Sequence, residues 1–176
     1  MWIIPFAAIA FGVIVLDQVS KLLILEFLYN DQLVLIEGVL NFTYVENRGM
    51  AFGLLSDHRW VFMLFSVIGI ALVGVYLWFF VKGTLGRVGL ALVIGGGIGN
   101  MIDRIAYGFV VDFIDFCAFD FWKWVFNIAD SAVCVGAGLF ILYMILDTVR
   151  EYKKQKAEKA EKAKETEKEQ NDAEDS

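Results

Sequence analysis

Four long apolar runs constrain this chain more than any other feature of its sequence. They cover about residues 3–28, 60–81, 85–102 and 126–149, and about 20 apolar residues are enough for a helix to cross the hydrocarbon core of a bilayer. Apolar residues make up 59% of the 176-residue chain, above the roughly 45–50% of soluble domains. The sequence therefore predicts an all-α polytopic membrane protein with four transmembrane helices.

The chain is expected to divide into a membrane domain and a charged tail. Residues 1–150 contain the four apolar runs. The first run is longer than the apolar core of a secretory signal peptide, about 7–15 residues, so we expect it to stay as an anchor. Residues 151–176 are rich in Lys, Glu and Ala, which fits either a frayed, salt-bridged helix or a disordered tail.

The positions of Lys and Arg predict the orientation in the membrane. Lys82 and Arg87 lie in the short link between the second and third runs, and a basic cluster at residues 150–156 follows the fourth. Because Lys and Arg near the ends of spans favour the cytoplasmic side, both termini are expected in the cytoplasm. The two longer connections are then extracytoplasmic.

The first outer connection has the pattern of a small β-sheet. Residues 33–36 and 39–45 are rich in β-branched, aromatic and leucine side chains and are separated by Glu37-Gly38, which is typical of two strands around a turn. We expect this sheet to lie on the outer membrane surface and to deliver residues 46–53 toward the helices.

Polar residues gather at the predicted outer ends of the third and fourth runs. Asn100, Asp103 and Arg104 stand at positions i, i+3 and i+4, so they share one face of a helix. Asn127 and Asp130 lie three residues apart at the start of the fourth run. An ionisable residue in the bilayer is costly and marks a functional site by default.

Four more polar residues are expected on the same side of the membrane. Asp17 and Lys21 are four residues apart in the first run, and Asn47 and Asp112 lie in the two outer connections. Together with the residues at the helix ends, they predict one pocket that is embedded in the membrane and open to the outside.

Several of these residues also fit a purely structural role. Asp17 and Lys21 fit an ion pair that ties the first run to its neighbours as well as they fit a direct role. For Asp103 and Arg104, support of the helix end is the favoured interpretation. Adjacent helical residues do not face each other, so Arg104 is expected to find a carbonyl or carboxylate on another segment.

The glycines of the third run have a simple packing interpretation. They do not form a GxGxxG motif, and small residues allow helices in membranes to approach closely. We expect close helix contacts at Gly95, Gly96, Gly97 and Gly99.

The residue types present favour carboxylate chemistry. The single histidine, His58, excludes a zinc site with two histidines, the serines lack a GxSxG context, and neither cysteine has metal or redox spacing. Asp112 and Asp130 remain, each among apolar residues. Two aspartates held close share a proton, so that one acts as base on a water and the other as acid toward a carbonyl. We expect no metal and no other cofactor.

Transport proteins and non-catalytic scaffolds are two other classes of membrane protein that can contain intramembrane charges. Intramembrane charges also mark ion- or proton-coupled transport, but here the polar residues gather on one face and the sequence has no internal repeat of the transporter kind. A non-catalytic scaffold would not need two isolated aspartates. No basic patch interleaved with aromatic residues is present, so nucleic acid is not an expected partner.

Five short blocks occur in order along the chain and are specific as a set. They are Asp17-Gln18-Val19-Ser20-Lys21, Asn47-Arg48-Gly49-Met50-Ala51-Phe52, Gly95–Arg104, Val111-Asp112-Phe113 and Phe126-Asn127-Ile128-Ala129-Asp130. In these blocks the chain resembles the lipoprotein signal peptidases (signal peptidase II), four-span aspartic endopeptidases of bacteria. The charged tail lies outside the resemblance.

The resemblance implies roles for these residues. The catalytic pair would be Asp112 and Asp130. The residues that line the site and contact the substrate or the pair would be Asn47, Asn100, Arg104 and Asn127. The polar supports would be Asp17, Lys21 and Asp103.

The resemblance also implies a substrate and a location. The family cuts prolipoproteins just before a cysteine that carries a diacylglyceryl group, and the cyclic peptide globomycin inhibits it. We therefore expect a monomeric enzyme of the bacterial cytoplasmic (inner) membrane, in contact with lipid, whose active site faces the extracytoplasmic side.

Overall fold

A computed structural model describes residues 3–49, 59–118 and 124–174. The helices and strands, in chain order, are α1 (Ile4–Phe27), β1 (Gln32–Ile36), β2 (Leu40–Asn47), α2 (Arg59–Phe79), α3 (Thr84–Ala106), β3 (Val110–Phe116), β4 (Val125–Phe126) and α4 (Ile128–Glu174). The chain forms two compact units, Met1–Phe140 and Ile141–Ser176. In the second unit the backbone stays helical to Glu174.

The prediction of membrane helices is confirmed for three of the predicted spans. Among the described residues, the helices long and apolar enough to cross a membrane are α1, α3 and the part of α4 at Ile128–Lys159. The second predicted span is also a helix, α2, whose apolar stretch at Met63–Phe79 is shorter. Many large apolar side chains on these helices are exposed, as expected for surfaces that face hydrocarbon.

Glycine determines how closely α3 approaches its neighbours. A Cβ atom added at Gly95 would lie 2.7 Å from the carbonyl oxygen of Ala10 on α1, and one at Gly96 would overlap the carbonyl oxygen of Ala129 on α4. Side-chain atoms of Ile70 on α2 would lie 3.0 Å from a Cβ at Gly97. The expected close packing at these glycines is confirmed.

The sheet is larger than predicted. The two expected strands are present as β1 and β2, joined through a turn in which Gly38 has φ +70°. The sheet continues antiparallel in the order β1-β2-β3-β4. The predicted helical membrane protein with a small sheet is confirmed, and the second connection adds two strands that the sequence analysis did not predict.

Strand β3 follows α3 through a tight turn. The helix ends at Ala106, and Gly108 has φ +83°, a conformation in which glycine avoids the steric cost of a Cβ atom. The strand is rich in β-branched and aromatic residues, which favour a half-buried sheet. Asp112 therefore lies on a strand, where the sequence predicted a loop.

The sheet packs against the end of α1. Ile24 of α1 forms a buried cluster with Val111 and Phe113 of β3. Phe42 of β2 meets Phe113 edge to face, with ring centroids 5.5 Å apart. This packing places one face of β3 against the helices.

Candidate active site

Asp112 is held at both of its carboxylate oxygens. Asn47 Nδ2 donates to Oδ2 over 2.7 Å, and Asn127 Nδ2 donates to Oδ1 over 2.6 Å. The side chain of Asp112 comes from β3, that of Asn47 from the end of β2, and Asn127 precedes α4. Three separate segments therefore fix the orientation of one carboxylate, which is only 2% exposed.

Burial raises the pKa of Asp112 from its ordinary value of 3.8 to about 7. The negative charge of Asp130 also raises this pKa, whereas the hydrogen bonds from Asn47 and Asn127 and the charge of Lys21 oppose the rise. A carboxyl group with a pKa near neutrality can take up or release a proton in a reaction at physiological pH.

Asp130 lies in the first turn of α4 beside Asp112. Its Oδ1 accepts a hydrogen bond of 2.7 Å from Asn100 Nδ2. Its backbone N–H donates to Asn127 Oδ1 over 2.8 Å, which is the hydrogen bond of a helix N-cap. The same asparagine thus caps the helix that carries Asp130 and donates to Asp112.

A buried ion cluster lies next to this pair. Lys21 Nζ is 2.8 Å from Asp17 Oδ2 and 2.8 Å from Asp103 Oδ2, and it donates to Asn100 Oδ1 over 3.0 Å. Lys21 is 2% exposed, and both aspartates are fully buried. Lys21 therefore pairs with Asp17 in its own helix and with Asp103 on α3, so the ion pair ties α1 to a neighbouring helix as expected.

Sequence reasoning missed the role of Gln18. Its Nε2 lies 3.2 Å from Asp17 Oδ2, 2.9 Å from Asp103 Oδ1 and 3.1 Å from the Gly99 carbonyl oxygen, with geometry for donation to each. From the sequence alone, no role is assigned to Gln18. Its position in the chain between Asp17 and Lys21 is the one indication in the sequence that it belongs to the site.

Gly99 has a role beyond helix packing. A Cβ atom there would lie 2.6 Å from Asp17 Oδ2, closer than real Cβ atoms come to their neighbours. Because glycine has no Cβ atom, the Asp17 carboxylate can pack directly against α3 at this position.

The hydrogen bond of Arg104 differs from the predicted contact with another segment. Its NH1 donates to the carbonyl oxygen of Asn100, 3.2 Å away in the same helix. The hydrogen-bond partner expected from another segment is not found among residues 3–49, 59–118 and 124–174. The charges of Asp130, Asp112 and Asp103 do act on the half-buried guanidinium, so Arg104 lies close to the pair.

The structure brings all of the predicted site residues into one region. They are Asp17, Lys21, Asn47, Asn100, Asp103, Arg104, Asp112, Asn127 and Asp130. Residues 50–52 of the second block, Gly53 and His58 lie outside the described residues. In the described part of the chain, no group of three or more His, Cys, Asp or Glu side chains could hold a metal ion.

This arrangement supplies the parts for acid–base chemistry with two carboxylates. Asp112 and Asp130 lie close enough for their charges to interact, and amide side chains orient both. All buried side-chain nitrogen and oxygen atoms of the described residues have hydrogen-bond partners. Among the described residues, these polar groups meet at the C-terminal half of α1, the end of α3 and the start of α4, and they do not form a chain along the full length of the helices.

Comparison with known proteins identifies the family. The model of signal peptidase (SPase) II matches residues 9–146. The lipoprotein signal peptidase of Syntrophomonas wolfei is 42% identical over 140 residues, which cover 79% of this chain and 91% of that protein. The lipoprotein signal peptidase of Caulobacter vibrioides is 44% identical over 157 residues, 84% of this chain and 90% of that protein.

Solved structures agree with this match. A bacterial membrane enzyme determined by the in meso method at 2.3 Å resolution superimposes with a TM-score of 0.74 and 33% identity, over 84% of this chain and 92% of that one. A second, at 1.9 Å resolution, gives a TM-score of 0.76 and 32% identity, over 82% and 94%. The chain therefore belongs to the signal peptidase II family.

Proposed function

We propose that this protein removes signal peptides from diacylglyceryl-modified bacterial prolipoproteins, with Asp112 and Asp130 as its catalytic pair. The observation that carries the proposal is that two carboxylates from different segments are joined through one buried asparagine, Asn127. The curated relatives at 42% and 44% identity are lipoprotein signal peptidases. The cut falls before the lipidated cysteine.

In the proposed reaction, the pair shares one proton before the substrate is cut. The ionised carboxylate takes a proton from a water molecule as the water oxygen attacks the scissile carbonyl carbon, and the protonated carboxyl gives its proton to the carbonyl oxygen. The tetrahedral intermediate then breaks its C–N bond. The carboxyl that took the water proton gives it to the leaving nitrogen, and a hydroxyl of the intermediate gives its proton to the other carboxylate, so that the pair again holds one shared proton.

The asparagines have distinct duties in this scheme. Asn47 and Asn127 hold the plane of the Asp112 carboxylate, and Asn100 holds that of Asp130. Arg104 supplies positive charge where the intermediate gains negative charge, which is a strong means of catalysis in a site with little water. Asp17, Lys21 and Asp103 support these groups.

The proposed topology has four spans with both termini in the cytoplasm. Helix α2 is 21 residues long, or about 31 Å, which matches the hydrocarbon thickness of roughly 30 Å. Lys82, Arg87 and the basic residues at 150–156 favour the cytoplasm. The sheet and the pair are then extracytoplasmic, and residues 151–176 form a cytoplasmic tail.

The topology is tested by cysteine labelling in intact cells. Cys117 and Cys134 are first replaced by Ser. A membrane-impermeant thiol reagent should then label Glu37→Cys in the sheet turn but not Lys82→Cys. The reverse pattern would place the pair on the cytoplasmic side.

The membrane location suits a lipidated substrate. Diacylglyceryl chains and an apolar signal peptide can approach laterally from the bilayer, so the enzyme needs no deep aqueous cleft. We propose that a monomer performs the reaction in contact with membrane lipid and that globomycin-type peptides compete with the substrate.

The substrate is tested with purified enzyme and two forms of one prolipoprotein. The form with a diacylglyceryl-modified cysteine should be cut directly before that cysteine, as read by mass spectrometry. The unlipidated form should remain intact. Cleavage at another position, or equal cleavage of both forms, would contradict the proposed substrate.

A further inference from the structure

Two aspartates outside the candidate pair each hold a peptide group next to that pair. Asp103 Oδ2 accepts a hydrogen bond of 3.0 Å from the backbone N–H of Val111. Val111 directly precedes Asp112 on β3, so the end of α3 fixes the backbone at the point where the strand presents its aspartate.

The same relationship is repeated at the start of α4. Asp17 Oδ1 accepts a hydrogen bond of 2.9 Å from the backbone N–H of Ala129, the residue before Asp130. This N–H belongs to the first turn of the helix, where backbone donors have no partner within the helix. The helix start is thereby tied to α1.

Lys21 connects the two aspartates, Asp17 and Asp103, that accept these backbone hydrogen bonds. An ammonium group has three N–H donors, and Lys21 Nζ has three acceptors, which are Asp17 Oδ2, Asp103 Oδ2 and Asn100 Oδ1. Asn100 in turn donates to Asp130 Oδ1. One buried cation is thus connected to the backbone beside both members of the pair and to a carboxylate of one of them.

We propose that Lys21 is a positioning residue that sets the separation and orientation of Asp112 and Asp130 by joining the two aspartates that hold the preceding peptide groups. The inference rests on the proposed function, because it assumes that these two aspartates form the catalytic pair. Gln18 spans the same two carboxylates, but a neutral amide does not compensate two buried negative charges. Without Lys21, the carboxylates of Asp17 and Asp103 repel each other and the peptide groups move with them.

A misplacement of about 1 Å at a reacting centre can cost on the order of 10² in rate. Lys21→Met keeps the length of the side chain and removes the cation. We expect this variant to lower kcat about 100-fold while KM for the lipidated substrate changes less than about threefold, because the Lys21 side chain is buried and not available to bind substrate. Lys82→Met makes the same substitution at an exposed residue and should leave both constants unchanged.

The pH profile distinguishes positioning of the pair from general support of the fold. Asp112 is influenced by the charges of Asp130, Arg104 and Lys21 and by hydrogen bonds from Asn47 and Asn127. Removal of the Lys21 cation should move the acid limb of the kcat profile to higher pH. A loss of folded protein alone would lower the amplitude of the profile and leave its limbs in place.

A double variant deals with the case in which Lys21→Met does not fold. Lys21→Met with Asp17→Asn keeps the net charge of the cluster and leaves an amide oxygen available to the Ala129 N–H. This double variant should fold and keep a low kcat, because residues 17 and 103 are still not connected through a cation.

The results separate the two proposals. Activity of Asp112→Asn in the same assay would refute the catalytic pair, whatever Lys21 does. If Asp112→Asn is inactive, the positioning role is overturned by wild-type kcat in folded Lys21→Met, by unchanged pH limbs, or by wild-type kcat in the double variant. Failure of both Lys21 variants to fold would also overturn it, since Lys21 would then be required for the fold.

Discussion

The Asn127 side chain donates to Asp112 Oδ1 over 2.6 Å and contributes its own oxygen to the cap of the helix that carries Asp130. Asn127 is fully buried and thus has two separable duties. Its amide nitrogen orients a carboxylate on β3, and its amide oxygen satisfies the backbone of α4.

These duties can be separated by substitution. Asn127→Ala should lose both, whereas Asn127→Ser keeps an N-cap acceptor but cannot reach Asp112. We expect both variants to lose most of their turnover. Asn127→Ala should in addition be less stable than Asn127→Ser by about 1 kcal/mol, the usual value of an N-cap. Turnover and thermal unfolding in one detergent measure both effects, and equal stability of the two variants would refute the capping duty.

Asp112 should make the stability of the protein depend on pH. Its pKa is raised in the folded state to about 7, so the protonated form is favoured by folding. This contribution is fully present below about pH 4 and is lost as the pH rises to about 7. Asp112→Asn should therefore be more stable than wild type at pH 8, by up to roughly 4 kcal/mol, and the difference should shrink toward pH 4.

Thermal unfolding at several pH values tests this expectation. Asp115→Asn, on the same strand, is the matched control and should show no such trend. A difference between Asp112→Asn and wild type that stays constant with pH would mean that folding does not change the pKa of Asp112.

Arg104 is expected to matter more for activity than for stability. Its hydrogen bond to its own helix is replaceable by water at a half-buried site, so Arg104→Gln should cost no more than about 1 kcal/mol. Turnover should fall by at least tenfold, because the positive charge beside the pair is lost, and Arg104→Lys should recover part of it. A loss of about 3–5 kcal/mol, typical of a broken buried ion pair, would instead reveal a partner on another segment.

Gly99→Ala should disturb the site through Asp17. The added Cβ atom would lie 2.6 Å from Asp17 Oδ2, and overpacking of this kind usually costs about 1–3 kcal/mol. We expect lower stability and lower turnover. Gly12→Ala in α1 has open space around it and should be neutral or slightly stabilising. Similar behaviour of the two variants would show that the contact at Gly99 is relieved without displacing Asp17.

The sequence was sufficient to predict the helices and the nine polar residues that the structure brings into one region, although not Gln18. Apolar length predicted α1, α3 and α4, and the i, i+3, i+4 spacing of Asn100, Asp103 and Arg104 placed them on one face of α3. Membrane burial makes such signals strong, because each polar residue within an apolar run requires a partner.

The sequence could not show how the site residues pair. Residues 110–116 were expected to belong to a loop, and their pairing with β2, a distant segment, makes them a strand. The hydrogen bonds that the Val111 and Ala129 N–H groups donate to Asp103 and Asp17 depend on backbone positions of distant segments. Arg104 was expected to have a partner on another segment, whereas within the described residues its hydrogen bond goes to the Asn100 carbonyl of its own helix.

The central claim is that Asp112 and Asp130 together cut the lipidated prolipoprotein. The direct measurement is turnover of Asp112→Asn and Asp130→Asn in detergent with lipidated substrate, each nearly isosteric with wild type, beside Asp115→Asn as the control. The account predicts that both pair variants fold, melt at or above the wild-type temperature and show no turnover, while the control cuts at the wild-type rate. Near-wild-type turnover by either pair variant would contradict it.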